Sequence, residues 1–95
     1  MAIIGFSSVT IDSVSRTAIT APIDGSVATL RNADLVNDAT LYDASTGGTG
    51  ITLTGGQSRT FRPQSVRELS WRRDDTIVWA QAAAGTGPIE VELLR

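Results

Sequence analysis

The chain has 95 residues, with eight arginines, ten acidic residues and a net charge of −2, and it contains no histidine, cysteine or lysine. Those absences exclude disulfides, Cys or His metal clips, lysine Schiff bases and His-assisted nucleophiles, and the small net charge argues against a polyanionic partner. A domain of this size buries only roughly 60 to 65% of its unfolded surface, so association with copies of itself or with a larger structure is the expected source of added stability.

Met1 to Phe6 carries no basic n-region and no apolar run long enough for a signal peptide, and nothing elsewhere approaches membrane-spanning length. The expectation is a protein made in the cytosol and used without cleavage. Between Met1 and Asp24 the alternation is broken, with Val9 and Ile11 set among serines and threonines. This stretch reads as an edge strand or an extended N-terminal arm that pairs with a neighbouring subunit. Ile3, Ile4, Phe6, Val9 and Ile11 are its candidate interface residues.

Residues 25 to 95 read as one folded unit of short strands. Ser26 to Asn32 sets Ala28 and Leu30 against Val27, Thr29 and Arg31, turn formers fill Asn32 to Asp38, and Ala39 to Asp43 resumes as a strand. A glycine-rich turn at Ser45 to Gly50 leads to a short strand at Ile51 to Leu53, and Gly55-Gly56 turns the chain into Gln57 to Arg62. Pro63 to Asp75 fits both periods, and a short strand near Val66 to Trp71 is favoured over a helical turn. Thr76 to Ala82 reads as a buried strand, and Ile89, Val91 and Leu93 alternate with Glu90 and Glu92 in a strand with one wet face. The link from Ala84 to Pro88 suits a hairpin between those last two. Strands recurring about every ten residues predict an all-β fold, a single small antiparallel β-sandwich, jelly-roll or Ig-like, of about seven or eight strands.

Five of the eight arginines, Arg59, Arg62, Arg67, Arg72 and Arg73, fall in one segment beside Trp71. Guanidinium groups pair bidentately with carboxylates and stack on rings, so these six residues are candidate protein-interface anchors. The alternative is a solvated face neutralised by Glu68, Asp74 and Asp75, and those interleaved acids oppose direct nucleic-acid binding. Trp71, Trp79 and Tyr42 form a candidate sugar-stacking set. Trp79, inside an apolar run, is expected in the core, which leaves Trp71 as the partly exposed ring.

Asn32, Asp34, Asn37, Asp38 and Asp43 offer oxygens to a hard cation, but the ligand spacing of an EF-hand is absent and Asx turns are the favoured use. Glycines 47, 48 and 50 lack the Gly-Lys-Ser/Thr of a phosphate cradle. Asp74 with Asp75 and Glu90 with Glu92 have no apolar setting that would raise a pKa. The expectation is a protein that is no enzyme and needs no cofactor or metal.

The order of pieces from Ser26 to Leu94 resembles small β-sandwich virion proteins of tailed bacteriophages. It is carried by Ala28-Thr29-Leu30-Arg31-Asn32, Ala39-Thr40-Leu41-Tyr42-Asp43, Leu53-Thr54-Gly55-Gly56-Gln57-Ser58, and a closing hairpin of Ile77 to Ala82 with Ile89 to Leu93. The resemblance implies a capsid decoration or cement protein on the virion surface, made in the host cytoplasm. Its partners would be the major capsid protein or another virion protein and copies of itself, with a trimer favoured by analogy. No membrane is implied. A head–tail connector, collar or tail component is the alternative within the same particle, and a carbohydrate-binding or adhesion module is the rival from another class.

Overall fold

A computed structural model describes residues 3–63 and 70–95, and every regular element within them is a β-strand. In chain order these are β1 (Ile3–Asp12), β2 (Thr17–Thr20), β3 (Val27–Asn32), β4 (Ala39–Tyr42), β5 (Ile51–Leu53), β6 (Ser58–Phe61), β7 (Thr76–Ala82) and β8 (Thr86–Leu94). Alternation sets the inner face of each. Ile89, Val91 and Leu93 of β8 are fully buried, as are Ala28 and Leu30 of β3, while Val78, Ala80 and Ala82 point inward from β7. Burying each such Ile, Val or Leu side chain contributes about 1.5 to 3 kcal/mol, and the alanines of β7 let the facing sheet approach closely.

All pairings are antiparallel: β1 with β8, β2 with β7, β3 with β6, and β4 with β5. The pairs β3 with β8 and β4 with β7 complete two four-stranded sheets, ordered β1-β8-β3-β6 and β2-β7-β4-β5. First strand meets last and second meets seventh, so the chain is a long hairpin rolled over on itself. That winding defines a jelly roll rather than an Ig-like sandwich.

The expected closing hairpin is corrected by this topology, because β7 and β8 lie in different sheets. Each carries one apolar face, and the two faces bury each other across the sandwich. Pro88 is tolerated in β8 because β3 ends opposite Ile89, so at Pro88 only β1 pairs with β8.

Residues 3–24 contribute one outer strand of each sheet, β1 and β2, packed on the sandwich itself. Ile11 therefore belongs to the chain's own core, at 2% exposure, and Ile4 and Val9 pack partly against that core. Ile3 and Phe6 remain exposed. The tryptophans exchange their expected places. Val78 and Ala80 point inward, so Trp79 between them faces outward, half-buried and opposite Tyr42 of β4. Trp71 instead bridges Gly25 and packs partly against the core. The strand expected at Val66 to Trp71 lies mostly outside the described residues, as does Arg67.

Candidate functional site

The antiparallel winding sends the β1–β2, β3–β4, β5–β6 and β7–β8 connections to one end of the sandwich and the other three to the opposite end. At the first end the β3–β4 loop stands out. It begins from Asn32, the buried polar residue among those described, 2% exposed at the inward-facing end of β3. A buried amide must satisfy its donors and acceptor, and this one does so entirely with backbone. Its Nδ2 donates to Asn37 O at 2.9 Å and to Leu53 O at 3.0 Å, and its Oδ1 accepts Asp34 N–H at 3.1 Å. One side chain thus ties the start of the loop to its far side and to β5 in the other sheet.

Asp34 repeats the device one step out. Its Oδ1 accepts the Val36 and Asn37 N–H groups at 2.9 and 3.2 Å, and its Oδ2 accepts Asn37 Nδ2 at 3.1 Å. The Val36 N–H first, then the backbone and side-chain donors of Asn37, hold the Asp34 carboxyl below the usual carboxylate range, against a small opposing effect of burial. These oxygens serve the loop's own donors, as the Asx-turn expectation had it. Among the described residues, no three acidic groups converge to hold a metal ion.

Two glycines let neighbouring backbone close around this loop. A Cβ on Gly55 would lie 2.8 Å from Asp34 O and from the Leu35 carbonyl group, and one on Gly87 would lie 2.7 Å from Asp34 Oδ2. The β5–β6 turn is also stitched to β3, since Gly56 N donates to Asn32 O at 2.7 Å and Asn32 N to Gln57 O at 2.9 Å.

This bracing holds two large aliphatic side chains in water: Leu35 is 73% exposed and Val36 is 87% exposed. Sequence reasoning flagged the surrounding Asn and Asp residues but missed this pair. The available signal was two aliphatics enclosed by turn formers in Asn32-Ala33-Asp34-Leu35-Val36-Asn37-Asp38. Val14, 87% exposed, projects from the β1–β2 connection at the same end. Its loop is held by Asp12 Oδ1, which accepts the Val14 and Ser15 N–H groups.

The opposite end and outer faces carry the other candidates. Arg59, Arg62, Arg72 and Arg73 are exposed, and among the described residues none forms an ion pair. The nearby acids serve backbone: Asp75 Oδ2 accepts Arg72 N–H at 2.8 Å and Asp24 Oδ1 accepts Arg73 N–H at 2.7 Å. Glu90 pairs with Arg31 across β8 and β3 at 2.7 Å. A cleft of about 460 Å³ opens between the sheets, lined by Leu41, Ile51, Phe61, Trp71 and Val78; among the described residues Arg62 and one carboxylate, Asp43, are the charged groups of its lining.

Two rings of the aromatic set, Trp71 and Tyr42, are engaged within the chain, while Trp79 faces outward. Trp71 Nε1 donates to Phe61 O at 3.3 Å, and the Arg16 guanidinium lies 3.4 Å from the centre of the Tyr42 ring. Arg16 also donates to Ala44 O and Gly47 O at 2.9 and 2.7 Å. The aromatic face of Tyr42 is spent on holding the glycine-rich β4–β5 loop. The fold and site therefore define a small jelly-roll domain with a braced apolar loop at one end and exposed arginines at the other. Comparison with protein-family models and with curated proteins gives no match.

Proposed function

We propose that this chain is a non-enzymatic structural protein of a tailed-phage particle, a decoration or cement protein that seats on the capsid and stabilises it by binding. The observation that carries the reading is the β3–β4 loop. A buried Asn and an Asx network hold Leu35 and Val36 in water in one geometry, which favours insertion into a partner's pocket because little conformational freedom is left to lose. Arginines at the opposite end supply a second contact of different chemistry, suited to a carboxylate-rich neighbour. A protein with apolar anchors at one end and cationic ones at the other is built to bridge.

Jelly rolls serve as viral capsid and lectin domains alike, so the architecture does not choose between particle assembly and sugar binding. The loop favours assembly, and the engagement of Trp71 and Tyr42 within the chain leaves Trp79 alone as an outward-facing ring for a sugar. The test is saturable binding of the purified chain to particles assembled without it. Leu35→Asp is expected to weaken occupancy about 30-fold, the value of a strong interface anchor, with the thermal midpoint unchanged. Trp79→Ala should leave occupancy alone. Absence of saturable particle binding, or glycan binding lost in Trp79→Ala, would sink the proposal in favour of the sugar-binding rival.

A further inference from the structure

The four sheet edges are not equally protected. β5 is three residues long, β2 is four residues long and carries a bulge, and β6 is four residues long with Arg59 inside it and Arg62 just beyond. Short strands, bulges and charges are the usual means of keeping an edge from pairing with another chain. β1 has length without charge: ten residues, uncharged from Ile3 to Ile11, with a bulge only at its start and no proline. Its other side pairs with β8, and among the described residues no loop backbone donates to or accepts from its free edge.

We propose that two copies of the chain pair through β1, antiparallel about a two-fold axis at Ser7, so that two four-stranded sheets join into one of eight. Charge selects a second copy as the occupant. A strand paired with its own symmetry mate brings its charges near the same charges of the copy, so β6 would crowd the two Arg59 guanidiniums, whereas β1 sets only uncharged residues together. Ser7 is the midpoint of the uncharged run. About that point Phe6 faces Ser8 of the second copy and Gly5 faces Val9 of the second copy. Outward positions thus stay outward and inward ones inward, as the two-residue period of a strand requires. Phe6, 55% exposed on the outer face of the isolated sandwich, gains a cross-strand neighbour. The pairing deepens the self-association within the assembly reading and specifies two-fold rather than three-fold symmetry.

The chain has no cysteine, which makes the test direct. Residues opposite each other across an antiparallel pair have Cα atoms about 4.5 to 5.5 Å apart, within disulfide reach. The mass of the wild-type chain in solution should follow a monomer–dimer equilibrium across a concentration series. Ser7→Cys should oxidise to a covalent dimer, while the β6-edge control Ser58→Cys should not. A wild-type chain that stays monomeric at every concentration overturns the pairing, and so does crosslinking of Ser7→Cys no better than that of Ser58→Cys. Particle occupancy, measured separately, reports on the assembly reading, so either can fail alone.

Discussion

Two loops of this jelly roll are stabilised in opposite ways. The β3–β4 loop is held from inside, by buried Asn32 and by Asp34, and it presents Leu35 and Val36 to solvent. The glycine-rich β4–β5 loop is held from outside, by Arg16 lying over Tyr42 and donating to Ala44 O and Gly47 O, and it presents no large apolar side chain. A surface loop that only connects strands is adequately fixed by one arginine. Tying a loop into the core through a buried amide is a stronger constraint, and it is found where the exposed side chains are the ones that proteins normally bury.

Asn32→Ala should break this contrast most strongly. It leaves the buried Leu53 carbonyl and the Asn37 carbonyl without their donor, a loss of roughly 2 to 4 kcal/mol in chemical denaturation. Under the proposed capsid-binding role, particle binding should fall with it, because the loop loses its geometry. Gly55→Ala separates geometry from the amide. Its Cβ meets the backbone of Asp34 and Leu35, so the loop must shift, at about 1 to 3 kcal/mol, and the Leu35 methyl shifts should move while those of Leu30 stay in place. Arg16→Ala should cost about 1 kcal/mol and raise amide exchange in the β4–β5 loop alone. Loss of particle binding in that variant would erase the distinction between the loops.

The smallest effect is acid titration. The folded Asp34 carboxyl titrates below its unfolded value, so its contribution to stability is fully present above about pH 4 and is lost as pH falls through the lower folded value. The Val36 and Asn37 amide shifts should report that titration with a midpoint below the ordinary carboxylate range. A midpoint at or above the range would mean that the carboxylate does not hold the loop.

Strand positions were legible in the sequence because a half-buried strand writes its inner face at every second residue, as in Ile89, Val91 and Leu93. Which strands pair was not legible from local spacing. A short link between β7 and β8 looks like a hairpin, and only the need of two apolar faces to bury each other places the strands in opposite sheets. The two tryptophans illustrate the same limit. In Ile77-Val78-Trp79-Ala80-Gln81-Ala82 the small alanines disguise the inner positions, so the largest ring was assigned to the core when parity sends it outward. The Asn and Asp residues of the β3–β4 loop announced turns. That these turns leave Leu35 and Val36 exposed while Asn32 is buried at the end of β3 became visible only in the structure.

The proposed function makes the β3–β4 loop the anchor for a partner. A density map of the chain added to phage particles assembled without it tests that proposal directly. The account predicts Leu35 and Val36 enclosed in a pocket of a neighbouring virion protein, with the loop in the conformation it has in the free chain. Both side chains in solvent, with the chain attached by other surfaces, would contradict it.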